Sequence, residues 1–166
     1  MKIINHFADL FRYLPGKIGD SVRKICYKLI FKKFGKNSEI KDGVVILFPE
    51  NISIGNYSAI NQQSYLNALG GIEIGNYTRI APHVAIISSD HGFRDTNRPI
   101  SMQEENSKKI VIEDDVWVGY GAIILKGVRI GKGSVISANA KITRDVKPYS
   151  VIVGNNILVA KRKRSN

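Results

Sequence analysis

From residue 52 onward an aliphatic side chain returns at every sixth position. One run is Ile54, Ile60 and Leu66. A second, after a two-residue slip at Gly70-Gly71, is Ile74, Ile80 and Ile86. Beyond an interruption the series resumes as Ile112, Val118, Ile124, Ile130, Ile136 and Ile142. The residue after each is often small or polar, as at Gly55, Asn61, Gly75, Gly119 and Gly131. Most residues two places before each are small, as at Ser58, Ser64, Thr78, Ala122 and Ser134. Six residues turn an α-helix through about 600°, so successive members would face different ways. Strand alternation returns to one face every second residue and accommodates a period of six. Long strands need hairpin turns, and the repeat region lacks Asn-Gly or Asp-Gly pairs at hairpin spacing. Short strands with a corner every six residues satisfy both facts, which predicts a parallel β-helix. Three hexads per coil give four coils, ~4.8 Å apart.

The first 36 residues follow another period. Ile3, Ile4, Phe7, Leu10 and Phe11 recur at helical spacing, and Pro15-Gly16 breaks that pattern. Ile18, Val22, Ile25, Leu29 and Ile30 then form one stripe over 18–34, with Arg23, Lys24, Lys28 and Lys32 largely off it and Gly35 as a stop. Two basic amphipathic helices are predicted. They either lie on an anionic lipid surface or cap the repeat domain, since amphipathicity alone does not separate the two.

Composition adds where the charge sits. The 166 residues carry a formal charge of +11, which first suggests nucleic acid, membrane or small anions as partners. Residues 1–36 hold +7, residues 161–164 hold +4, and residues 37–160 balance 12 bases against 12 acids. A neutral body without a recognition motif argues against nucleic acid. The division of the chain follows: a basic helical segment at 1–36, the β-helix at 37–160 with a loop inserted at 88–109, and a basic tail at 161–166. The longest apolar runs are far short of the ~20 residues that span a bilayer. The N-terminus lacks the layout of a secretory signal. The lone cysteine, Cys26, fits a reducing compartment, and a cytoplasmic location follows, with peripheral membrane contact as the role open to 1–36.

The period fails between Ile86 and Ile112. The intervening residues are polar and charged, and a loop thrown out of a rigid solenoid is a natural place for function. His91 stands at its start. Histidine exchanges a proton near neutral pH and suits a general base.

The hexads, clearest from Ile112 through Val116-Trp117-Val118-Gly119 to Val146, resemble the left-handed β-helix of the hexapeptide-repeat acyltransferases. The stretch 52–160 looks closest to the maltose, galactoside and exopolysaccharide O-acetyltransferase branch. The resemblance implies an acetyl-CoA-dependent transferase, a homotrimer with clefts between prisms, and a saccharide acceptor, with cell-surface polysaccharide or lipopolysaccharide precursors favoured. It places the catalytic base at Asp90-His91-Gly92-Phe93, so His91 is the expected base and no metal is required. A γ-type carbonic anhydrase on the same prism would need three histidines on zinc, and only His83 and His91 lie in the repeat region. The resemblance also implies acceptor or oxyanion roles for Asn61, Gln63, Asp90 and Trp117, the last being equally suited to corner packing. Gly119, Tyr120, Ala138, Thr143 and Arg144 match positions that line the coenzyme arm. Lys161 and Arg162 could pair with its phosphates. An N-acetyltransferase of an amino sugar or sugar nucleotide, or a non-catalytic scaffold, stands as the alternative.

Overall fold

A computed structural model of the protein describes residues 10–163. Most of the first predicted helix, together with His6 and Arg164, lies outside the described residues. Within these residues the order runs through the helix α1 (Gly16–Ile30) and nineteen short strands. Sixteen of these strands pair in parallel into three faces of a solenoid, as the six-residue period predicts. Ile54 lies over Ile74, Ile74 over Ile112, and Ile112 over Ile130 on the first face. Ile60, Ile80, Val118 and Ile136 stack on the second. Leu66, Ile86, Ile124 and Ile142 stack on the third. All twelve point inward and are buried.

The stack has about six turns where the hexads predict four. The extra coil at the start comes from β1 (Lys33–Phe34), β2 (Glu39–Ile40) and β3 (Val45–Leu47), which pair under the second coil. The extra coil at the end begins at Val146, bridged to Ile130, and continues into β18 (Ser150–Val153), paired with β16 (Val135–Ile136). The chain then reverses. β19 (Ile157–Lys161) runs antiparallel to β18.

Two features hold successive coils in register. The third residue after an inward aliphatic has positive φ, as at Tyr57, Gln63, Tyr77, His83, Asp115 and Asn139, with Gly121 and Gly133 at equivalent places. These left-handed residues turn the corners. Inside the corners, hydroxyls tie coil to coil. Ser58 Oγ donates to Gly75 O at 2.7 Å and accepts the Thr78 amide at 2.9 Å. Thr78 Oγ1 donates to Glu113 O at 2.9 Å. Where the small residue two places before the aliphatic is Ser or Thr, as at Ser58, Ser64, Thr78 and Ser134, it is also a buried hydrogen-bonding position.

Helix α1 is shorter than the predicted 18–34. It ends at Ile30, because Phe31 and Phe34 are drawn into the core: the Tyr27 and Phe31 rings lie 5.2 Å apart and those of Phe31 and Phe34 5.7 Å. Its orientation also departs from the pattern. Gly19, Arg23, Tyr27 and Ile30 are buried, while Ile18, Ile25 and Leu29 face outward. Arg23 explains the rotation. Its guanidinium donates to Ile40 O (3.1 Å), Phe11 O (3.2 Å), Leu14 O (2.6 Å) and Asp20 Oδ1 (2.7 Å). The cation that lies off the apolar stripe thus fastens the helix to the first coil.

Candidate active site

The interrupted segment leaves the solenoid at the corner between the third and first faces. Ser88 anchors it: its buried Oγ donates to Asn67 O at 2.8 Å and accepts the Gly70 amide at 2.9 Å. Strand β10 (Ser89–His91) then pairs antiparallel with β11 (Glu105–Ser107), Asp90 opposite Asn106 and His91 opposite Glu105. The result is a two-stranded arm. At its turn the Gly92 amide donates to Glu104 O at 3.0 Å, and an added Cβ would sit 2.7 Å from that oxygen. Beyond it the loop is folded by Gln103, whose Nε2 donates to Asp95 O (2.8 Å) and Arg98 O (3.0 Å).

His91 is displayed on this arm with its side chain 66% exposed and Nδ1 3.8 Å from Glu105 Oε1. The Asp90 carboxylate is paired with Lys126 Nζ. Lys126 also lies 3.5 Å from Asn106 O, so it touches both strands of the arm. Lys126 and Glu105 were not legible as site residues from motif spacing. The hexad register held a clue for Lys126: Ile124 stacks on Ile86, which places residue 126 at the root of the arm.

The other predicted residues fall into separate columns. Asn61, Gln63, Gly119, Tyr120 and Ala138 occupy the corner between the second and third faces. Asn61 Nδ2 donates to Ile80 O at 2.7 Å. Gln63 is an exposed corner residue with φ 55°. Tyr120 packs its ring 5.0 Å from His83. Gly119 is tightly stacked, with an added Cβ 2.6 Å from Ala138 N. Thr143 and Arg144 lie on the same corner as the His91 arm. The Thr143 amide donates to Asn156 Oδ1 at 2.6 Å, and Asn156 Nδ2 donates to Arg144 O at 3.1 Å. Arg144 borders a groove of about 300 Å³ with Lys147 and Asn156.

Lys161 and Arg162 reach the third corner. Lys161 Nζ donates to Pro148 O at 3.1 Å. Arg162 Nη1 donates to Gly133 O at 2.8 Å and lies 3.2 Å from Asp115 Oδ2. Arg162 and Trp117 border one groove of about 350 Å³, with Tyr77 and Arg79. Trp117 is 57% exposed there, between Arg79 and Val135 in register. Another groove, of about 470 Å³, crosses the first face between Lys33, Glu73, Glu113 and Lys132 and holds none of the predicted residues. Beside it, the Arg129 guanidinium and the Lys132 amide hold the Glu113 carboxyl below its ordinary value. None of these three grooves includes His91. One chain therefore gathers the polar corner column on one edge of the third face and the histidine arm on the other.

Among the described residues, no three His, Cys, Asp or Glu side chains are grouped to hold a metal, and no helix is long and apolar enough to cross a membrane.

Residues 109–144 match the family described as bacterial transferase hexapeptide (six repeats). The chain is 34% identical over 137 residues to a galactoside O-acetyltransferase of Lactococcus lactis, covering 82% of this chain and 65% of that relative's length. It is 28% identical over 157 residues to the putative colanic acid biosynthesis acetyltransferase WcaF of Escherichia coli, covering 95% of this chain and 82% of that one. A hexapeptide-repeat-containing acetyltransferase from Vibrio cholerae, solved in complex with acetyl coenzyme A, superposes with a TM-score of 0.87. That pair is 26% identical, over 97% of this chain and 86% of the other. The repeat, the three-faced stack and these likenesses agree: the chain belongs to the hexapeptide-repeat transferase family.

Proposed function

We propose that the protein transfers an acetyl group from acetyl-CoA to a hydroxyl of a saccharide, with His91 as general base. The observation that carries this reading is the exposed His91, held on a hydrogen-bonded arm at one edge of the third face. In this step the acceptor oxygen attacks the thioester carbonyl. A C–O bond forms, the C–S bond breaks, His91 takes the hydroxyl proton, and the thiolate leaves to be protonated. Glu105 stands opposite His91 on the arm, with Oε1 3.8 Å from Nδ1. The thioester carries its own leaving group, so neither a metal nor an enzyme nucleophile is needed for the step.

The third face supports a homotrimer as the working form. Its outward residues include Leu47, Tyr65 and Ile123, all substantially exposed in the single chain. Packing that face against a neighbour brings the His91 arm of one subunit toward the polar corner column of the next. Asn61 and Gln63 then become acceptor-side groups, and Gly119, Tyr120, Ala138, Thr143 and Arg144 border the coenzyme arm. Arg162, already held by Asp115, shares a groove with Trp117 and is a basic group placed there for an anionic ligand. Cell-surface polysaccharide or lipopolysaccharide precursors, met at the cytoplasmic side of the membrane, are the acceptors we favour. The relatives named for galactoside and colanic acid chemistry support that choice.

The test is release of coenzyme A thiol from acetyl-CoA across a panel of sugars, sugar nucleotides and oligosaccharides. Turnover with a product that mild base hydrolyses supports O-acetylation. A base-stable product formed only with amino sugars assigns an N-acetyltransferase instead, and no turnover with any member overturns the reading.

A further inference from the structure

Helix α1 presents two unlike arcs. At 100° per residue, Gly19, Arg23, Tyr27 and Ile30 share one side, and Ile18, Val22, Ile25 and Leu29 share another. The first side is buried on the solenoid. The second faces away from it, with Ile18 74%, Ile25 63% and Leu29 70% exposed. Leu10 and Tyr13 extend the same apolar exposure before the helix. An uncovered ridge of this size marks an interaction surface.

The charges beside the ridge identify what it fits. Lys17, Lys24 and Lys28 each stand one residue before Ile18, Ile25 and Leu29, so they form an exposed row parallel to the ridge. Lys32 continues the basic character beyond the helix. The helix has one carboxylate, Asp20, and Arg23 and Lys41 already engage it at 2.7 and 2.8 Å. An apolar ridge flanked by uncompensated ammonium groups complements an anionic lipid surface, where the aliphatics enter the acyl boundary and the lysines meet headgroup charge.

We propose that α1 is an in-plane docking helix for an anionic bilayer, with Ile18, Ile25 and Leu29 inserted and Lys17, Lys24 and Lys28 on the headgroups. The four hydrogen bonds of Arg23 fix its rotation in advance, so the ridge is displayed before any lipid is met. This inference goes beyond the acetyl-transfer reading and stands without it.

The experiment is co-sedimentation of the full chain with vesicles of phosphatidylglycerol and phosphatidylcholine in equal parts, against phosphatidylcholine alone. The expected result is pelleting with the anionic vesicles, release at high salt, and little binding to the neutral ones. The triple variant K17Q/K24Q/K28Q should lower partitioning roughly tenfold or more, and I18S/I25S/L29S should abolish it. Circular dichroism should show both variants folded, since neither touches a buried residue. Wild-type protein left in the supernatant overturns the proposal, as does binding unchanged in both variants. If the wild type ignores vesicles while I18S/I25S/L29S loses oligomer mass, the ridge belongs to a second copy of the chain. The readout involves no acetyl transfer, so its failure is separable from failure of the catalytic reading.

Discussion

Lys126 reaches from the fourth coil to the carboxylate of Asp90, the residue immediately before His91. It is a positioning residue for the arm, since its contacts are Asp90 on one strand and Asn106 O on the other. Replacing it with alanine should lower kcat by roughly ten- to hundredfold through misplacement of His91. The KM for acetyl-CoA should stay near the wild-type value, and Lys126→Arg should recover most of the rate. Steady-state kinetics of the two variants, with thermal melts as a control, decide this.

His91→Ala should reduce acetyl transfer by about 10²- to 10⁴-fold, the usual contribution of a positioned general base. Molecular mass in solution should be unchanged, because the side chain is largely exposed. Wild-type turnover in this variant would remove His91 from the mechanism.

Arg23→Ala removes a buried cation and its hydrogen bonds to three backbone carbonyls and Asp20. The expected loss is about 3 kcal/mol, or a Tm lower by roughly 6–12 °C. Arg23→Lys keeps the charge but not the branched donor geometry and should recover less than half. Calorimetry on the three proteins measures it.

The same cluster sets a dependence on pH. Burial opposes the charge on Asp20, but Lys41 and Arg23 outweigh it and hold the carboxyl below its ordinary value. A depressed folded value means stabilisation that is complete above the unfolded carboxylate value, about 3.9. It is lost as pH falls through the lower folded value. Asp20→Asn should therefore be less stable than wild type at pH 7, and the gap should close under strong acid. Denaturant midpoints at neutral and acidic pH report it.

Neighbouring isoleucines on the third face should behave oppositely. Ile124 is fully buried, so Ile124→Ala should destabilise by about 2–5 kcal/mol. Ile123 faces outward at 38% exposure. Ile123→Ala should leave the coil intact and weaken the proposed trimer, which sedimentation velocity resolves.

The coils from Ile54 to Ile142 were legible because a β-solenoid repeats one packing problem, and the answer is an aliphatic at each inward position. Phe34, Ile40 and Ile46 obey the same spacing, yet the step from Ile46 to Ile54 is eight. The insertion at Phe48-Pro49, with φ 57° at Phe48, absorbs the extra length and hides the first coil. The sixth coil is hidden by a short step, since Val146 follows Ile142 by four. In α1 the hydrophobic stripe was found but its direction was not. Hydropathy does not record that Arg23 can satisfy Phe11, Leu14 and Ile40 carbonyls at once. At the candidate site the break in period exposed His91. Its pairing with Glu105 and the reach of Lys126 depend on an antiparallel ladder that no local pattern announces.

The reversal at β19 has a consequence for how molecules meet end to end. A stack of parallel coils finishes in an open rim of amides and carbonyls, and another chain's coil could be laid on it like the next course of bricks. On the second face that rim is occupied by a strand running the wrong way. Helix α1 sits against the opposite rim, with Arg23 plugging the Ile40 carbonyl. The molecule thus carries a stopper at either end of its ladder, and assembly is steered to the sides of the prism and away from endless fibres.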